Sequence, residues 1–194
     1  AVGELGQVVP MAHDALAEAE RQHDVRSEHF AHHFLADCPL IAGDAAAAGP
    51  HYRRALELAY ALGERTEIAI EMQGVAMAAA GTGDAQRALM LGGAAAAELD
   101  ALGIDFSGIR FWSDLLQRYY GLARTALGDR ADTAWESASR AADLEPVGSA
   151  LEEGRWAMEC TRARLEGREP PERRPPCFFD PRHGPSARDV EWTP

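Results

Sequence analysis

The chain has 194 residues, and its 31 acidic and 19 basic side chains give a formal net charge of −12 at pH 7. A negative charge of this size repels nucleic acid phosphates and anionic membrane surfaces, which excludes direct nucleic acid binding as the main activity. The cysteines Cys38, Cys160 and Cys177 form neither a Cys-x-x-Cys pair nor an even disulfide framework. No apolar run approaches the roughly 20 residues of a membrane helix. We therefore expect a cytoplasmic protein with reduced thiols and no membrane contact.

The hydrophobic pattern predicts an all-α fold. Apolar residues recur at the i, i+3, i+4, i+7 spacing, as in Tyr52, Ala55, Leu56 and Ala59, whereas alternation typical of strands is missing. We predict helices over 3–21, 25–42, 45–62, 65–81, 84–102, 108–127, 130–143 and 147–166. Since an interior proline kinks or interrupts a helix, Pro50 predicts a bend near Gly49 in the third of them.

A repeated dipeptide marks the turns between these helices. Gly-Asp begins at Gly43, Gly83 and Gly128, which are 83 − 43 = 40 and 128 − 83 = 45 residues apart. Gly tolerates the left-handed conformation that ends a helix, and Asp caps the next helix by accepting backbone N–H bonds. A fixed period of this size indicates stacked helix-turn-helix units.

The domain prediction follows from this period. We predict one repeat domain over 1–166, whose units lie at about 25–63, 64–103 and 106–144, with flanking helices 3–21 and 147–166. Seven of the eleven prolines lie in the last 28 residues. The segment 167–194 is therefore predicted to be a largely irregular Pro/Arg-rich tail.

The repeat units resemble the tetratricopeptide repeat. A large residue and then a small one precede each Gly-Asp turn, at Leu35-Ala36, Val75-Ala76 and Tyr120-Gly121. The small positions of the second helix fall on Ala48 and Ala55 and then on Ala88 and Ala95, whereas the third unit departs with Thr133 and Arg140. The resemblance implies antiparallel helix hairpins stacked into a right-handed superhelix.

A narrower resemblance concerns function. Stretches such as LADCPLIAGD and QGVAMAAAGTGDAQRAL are similar to the helical repeats of large bacterial ATP-dependent transcriptional regulators of the LuxR-type and AfsR-like kinds. The similarity covers roughly residues 25 to 130 and implies a non-enzymatic segment that senses or binds a protein or peptide partner. The chain has no GxxxxGK[ST] loop and no recognisable DNA-reading helix, so neither ATP binding nor DNA binding is carried over, and we expect no cofactor.

The repeat register predicts a partner-binding groove along the inner surface of the stacked first helices. Such grooves combine apolar contact area with a few polar groups that fix the ligand, and Arg118 is placed to hold a carboxylate. The predicted lining residues are Phe30, His33, Asp37, Ile70, Gln73, Met77, Leu115, Arg118 and Leu122.

Two other classes of function remain open. The helical spacing of His29 and His33, with Asp37 one turn further on, permits a metal site or small-molecule pocket, although no HExxH or Cys-x-x-Cys motif supports it. Alternatively, an incomplete repeat end predicts a self-assembling scaffold or a homodimer. The other candidates are interpreted as ordinary structure: the aromatic residues from Phe106 to Tyr120 as core, and Glu18, Glu20, Glu64, Glu67 and Glu71 as solvated helix faces.

Overall fold

A computed structural model describes the backbone of residues 2–140 and the side chains of residues 7–137. The chain order is α1 Val2–Gln22, α2 Val25–Ala42, α3 Ala45–Leu62, α4 Arg65–Gly81, α5 Ala85–Ala101 and α6 Arg110–Leu127, followed by a 3-10 turn, Gly128–Arg130, and α7 Ala131–Arg140. No strand occurs within these residues, so the prediction of an all-α fold is confirmed. The predicted helix 147–166, the tail 167–194 and the end of the unit 106–144 lie outside the described residues.

The turns between the helices share one geometry. His23, Gly43, Gly63, Gly83 and Gly103 all have positive φ, and they follow one another at intervals of 20 residues. After three of these turns, Asp24, Asp44 and Asp84 cap the next helix by accepting backbone N–H bonds. The Gly-Asp hinges at Gly43 and Gly83 therefore form as predicted, because the left-handed residue ends one helix and the carboxylate begins the next.

The third Gly-Asp pair behaves differently. Gly128 has φ 56° and ψ −128°, and it opens a single 3-10 turn instead of a capped hinge. The prediction of a third hinge of the same kind is wrong. The chain nevertheless folds back here, since Arg124 on α6 pairs with Asp132 on α7 at 2.6 Å and the Tyr120 ring lies 5.4 Å from the Trp135 ring.

Proline does not divide α3. The helix runs unbroken from Ala45 to Leu62 with Pro50 inside it. Pro50 stands early in the helix and its ring is exposed, so the missing N–H removes only the bond that would reach the first turn. Pro50 therefore does not interrupt the helix, and a bend near Gly49 within it stays a prediction.

The helices pack as neighbours along the chain, with additional contacts two helices apart. Each helix from α1 to α5 packs on the next, α6 lies against both α4 and α5, and α7 packs on α5. Small residues allow these close approaches: Ala48, Ala55, Ala88 and Ala95 are all fully buried. Helix α4 lies at the centre, and every residue from 71 to 78 is buried.

Candidate functional site

The predicted groove residues divide by exposure. Phe30, Arg118 and Leu122 are exposed, and His33 and Ile70 are half-buried. Asp37, Gln73, Met77 and Leu115 are at most 7% exposed. The last four are therefore closed to a partner in this structure, although the role of the whole set in binding stays a prediction.

These four residues are buried because side chains of α6 contact α2 on the same side of α4. The hydroxyl of Tyr119 on α6 donates to the backbone oxygen of Leu40 on α2 at 2.7 Å. The indole N–H of Trp112 donates to Oε1 of Gln73 on α4, also at 2.7 Å, and the Trp112 ring lies 5.9 Å from the His33 ring on α2. These contacts cover the inner face of the central helix.

Beneath this cover, a carboxylate of α4 binds two histidines of α2. Oε1 of Glu71 lies 3.0 Å from Nε2 of His29 and 2.7 Å from Nδ1 of His33. The side chain of Glu71 is 0% exposed and that of His29 1%. The interpretation of Glu71 as a solvated residue is therefore wrong, because its helix is enclosed on every side.

The same network continues from His33 to α3. Nε2 of His33 lies 3.4 Å from Oδ2 of Asp37, one turn further along α2. Oδ1 of Asp37 accepts a hydrogen bond of 2.6 Å from the hydroxyl of the buried Tyr52. We call the five residues His29, His33, Asp37, Tyr52 and Glu71 the buried His–Glu network.

The network holds opposite charges in contact. Burial opposes the charged form of His33, but the hydrogen bond and negative charge of Glu71, together with Asp37, raise the pKa of His33 to about 9. Burial also opposes ionisation of Glu71, yet its hydrogen bonds to His29 and His33 lower the pKa of this carboxyl. At neutral pH the structure thus contains an imidazolium paired with a buried carboxylate.

Asp37 and Tyr52 respond differently to burial. Burial raises the pKa of Asp37, and the neighbouring His33 and the Tyr52 hydroxyl offset this only in part. Burial and the carboxyl of Asp37 together raise the pKa of Tyr52. Tyr52 therefore serves as a hydrogen-bond donor to Asp37, not as an acid.

The possible metal ligands that the structure brings together differ from the predicted set. His29, Glu67 and Glu71 each offer one ligand atom, and these atoms lie within 4.8 Å of one another. Asp37 belongs instead to the other end of the network, where it binds His33 and Tyr52. Of the predicted set His29, His33 and Asp37, only His29 is in the group that the described residues assemble.

Other sequence candidates have ordinary surroundings. His32 lies between helices, with its Nδ1 3.0 Å from Nδ1 of His51 on α3. Cys38 is a buried free thiol whose pKa is raised by burial and by Asp37. A buried thiol of raised pKa is a poor nucleophile, so nothing favours covalent chemistry at Cys38.

Three exposed phenylalanines contact either the buried His–Glu network or the Trp112 ring that covers it. Phe30 is 39% exposed, Phe34 48% and Phe111 54%. Ring contacts connect each of them to the network: Phe30 touches His29, Phe34 touches His33, and Phe111 touches Trp112, which in turn faces His33. We call Phe30, Phe34 and Phe111 the aromatic rim.

Sequence reasoning missed Glu71, Phe34 and the position of Trp112 over His33. A signal for Glu71 was present, since the segment IAIEMQGVAMAAAG is apolar around its whole circumference. A helix of this kind is buried on all sides, so any charged residue within it must have a buried partner.

Comparison of the chain with protein-family models, with curated proteins and with solved structures gives no match. Within the described residues, no helix is long and apolar enough to span a membrane.

Proposed function

We propose that this chain is a non-enzymatic partner-binding module built from TPR-like helix hairpins, and that an apolar segment of another protein binds its aromatic rim. The observation that carries the proposal is the exposure of three large apolar rings, each of which contacts one of the residues His29, His33 and Trp112, while the rings of His33 and Trp112 lie 5.9 Å apart. Clustered exposed rings of this kind are typical of protein interaction sites.

The arrangement of the hairpins supports the TPR-like part of the proposal. Turns of one geometry follow every 20 residues from His23 to Gly103. Alternate helices also pack, α6 on α4 and α7 on α5. Stacking of successive hairpins in a right-handed superhelix would produce both features.

The residues beneath the aromatic rim are held in place by hydrogen bonds, which favours binding by side chains that are already positioned. Trp112 is held by Gln73, and His33 is held by Glu71 and Asp37. Side chains fixed before binding lose little entropy when a partner arrives. Phe30 and Phe34 stand four residues apart on α2, so they present one apolar turn to the partner.

The partner we favour is a peptide or helix with large apolar side chains at helical spacing, which fits a rim of three phenylalanines. Arg118 and Leu122 extend the exposed surface of α6, and the guanidinium of Arg118 is the group that would bind a partner carboxylate. A place within a bacterial transcriptional regulator is the biological setting that this proposal implies, and it leaves ATP and DNA binding to other domains.

The test is a selection from a displayed random-peptide library against the folded protein. We expect the recovered peptides to be rich in Leu and Phe at helical spacing. Each substitution Phe34→Ser and Phe111→Ser should weaken binding at least about tenfold, since a central buried aromatic anchor contributes about 2 kcal/mol or more. Fluorescence titration of the labelled peptide measures the loss.

The matched control is Met11→Ser. Met11 is 69% exposed on α1, and its substitution should leave the affinity unchanged. Equal losses at Met11 and Phe34, or peptides that bind both rim variants as tightly as the original protein, would contradict the proposal. Sedimentation velocity over a range of concentrations separates self-association: a dimer that Phe34→Ser dissociates would show that a second copy is the partner.

A further inference from the structure

The side chain of Glu71 has one oxygen that the buried network does not use. Oε1 accepts both histidine hydrogen bonds, whereas Oε2 is buried and has no hydrogen-bond partner among the described residues. A carboxylate oxygen without a partner in the protein interior is costly. Its presence in an otherwise well-paired network indicates that another group belongs beside it.

The ligand atoms of a metal site lie around the same carboxylate. His29 supplies an imidazole nitrogen from α2, and Glu67 and Glu71 supply carboxylate oxygens from successive turns of α4. Their mutual separations reach up to 4.8 Å, whereas ligand atoms about 2.1 Å from a tetrahedral ion lie about 3.4 Å apart, so the group must contract by up to about 1.4 Å when the ion binds. Glu67 is half-buried, so a change of its side-chain rotamer would bring its carboxylate closer to the other two ligands.

Charge and orientation also suit a divalent cation. Glu67, Glu71 and Asp37 supply three carboxyl groups against the ion and the imidazolium of His33, which offsets much of the cost of burying the cation. His33 holds Oε1 of Glu71 at 2.7 Å and so fixes the carboxylate from outside the ligand set, as groups around metal ligands usually do. Glu67, the least buried of the three ligands, offers an entry path from the surface.

We infer that His29, Glu67 and Glu71 form a binding site for one divalent transition-metal ion, of the zinc class, that links α2 to the central helix α4. One imidazole and two carboxylates suit Zn²⁺, and such a set leaves a coordination position for water. This site uses different ligands from the set His29, His33 and Asp37, and it does not depend on the proposed function of the aromatic rim.

The experiment is titration calorimetry of the tag-free full chain, stripped with a chelator, against Zn²⁺ alone. We expect one ion per chain with saturable binding and an increase in Tm on loading. The substitution Glu67→Gln should weaken the affinity more than about tenfold. Because Glu67 is half-buried, this variant should fold like the original protein, as circular dichroism will verify.

Two further variants make the result decisive. Glu64→Gln, one turn before Glu67 and outside the ligand group, should bind Zn²⁺ like the original protein. His51→Gln removes the His32–His51 pair and should also leave the affinity unchanged, which excludes that pair as the source of binding. Failure to bind Zn²⁺ at micromolar concentration, or equal affinity of the Glu67→Gln variant, would overturn the inference.

Discussion

Glu71 connects the central helix α4 to α2. It is the carboxylate that two histidines of α2 bind, and it stands in the middle of the central helix. A buried ion pair contributes little net stability compared with a well-packed apolar pair, yet removal of one partner leaves the other without compensation. The network therefore fixes how α2 lies on α4.

The first prediction concerns the substitution Glu71→Gln. It should lower the free energy of unfolding by about 3 kcal/mol, because the amide of Gln carries no negative charge to compensate the buried imidazolium of His33. Urea denaturation in the presence of a chelator measures the effect without any metal contribution. The exposed Glu20→Gln is the control and should change stability by less than about 0.5 kcal/mol; similar losses in both variants would disprove the role of Glu71.

The second prediction concerns pH. Burial and the neighbouring His51 lower the pKa of His32 to about 4, whereas an unfolded histidine titrates near 6.5. As pH falls from 6.5 towards 4, the unfolded chain binds a proton at His32 and the folded chain does not, so stability is lost across this window. The loss from this group should be smaller than the full free energy of the pKa shift, because solvent screens a half-buried imidazole.

Denaturation curves collected between neutral and acidic pH test this prediction. In the variant His32→Gln, stability should fall less steeply across the same window. His23→Asn is the control: His23 is exposed and has φ 55°, a conformation that Asn tolerates. An unchanged pH dependence in His32→Gln would show that His32 does not contribute.

At the scale of the helices, close packing depends on glycines that the repeat pattern did not distinguish. A methyl group at Gly74 on α4 would lie in severe contact with the ring of Tyr52, which is fully buried and held by Asp37. A methyl group at Gly121 on α6 would meet nothing within 4 Å. Glycine is thus required at position 74 of the central helix, but not at position 121 of α6.

The third prediction contrasts these two positions. Gly74→Ala should destabilise the protein by about 1–3 kcal/mol, because the Tyr52 ring must move from its buried site. Gly121→Ala should stabilise it by roughly 0.5–1 kcal/mol, since Ala is the better helix former and the position is open. Thermal and urea denaturation of both variants test the signs, and two changes of the same sign would contradict this account of the packing.

At the scale of the whole molecule, the direct contact of α2 with α6 makes the hairpins interdependent. In an open array, each repeat contacts only its neighbours, and the end repeats open first. Here Tyr119 reaches Leu40, 79 positions away in the chain, over the central helix. We infer that α2, α4 and α6 unfold together.

The fourth prediction follows from this interdependence. Native-state hydrogen exchange should give the central amides of α2 and α6 the same free energy of opening. The substitution Tyr119→Phe removes the bond to Leu40 and should lower both values by about 1 kcal/mol. Exchange of α6 at a much lower free energy than α2 would show that the units open one by one.

Local sequence patterns were sufficient to predict the helices and most of the turns between them. The apolar period predicted the segments 25–42, 45–62 and 65–81, which are the bounds of α2, α3 and α4 in the structure. Gly43-Asp44 and Gly83-Asp84 predicted capped turns because capping depends on a few adjacent residues. The small residues Ala48 and Ala88 marked close contacts for the same local reason, since no larger side chain fits between crossing helices.

What the sequence by itself determined is therefore the set of helices and the hinges between them, which depend on interactions within about one helical turn. Only the tertiary structure decided that α2 and α6 close over α4, that Glu71 is buried, and that Phe34 and Phe111 belong to one rim. Those features depend on contacts between residues about 40 to 80 positions apart in the chain. A hydrophobic period shows that one face of a helix is buried, but it does not show which helix packs against that face. The sequence alone therefore could not predict the buried His–Glu network or the contacts of α6 that cover it.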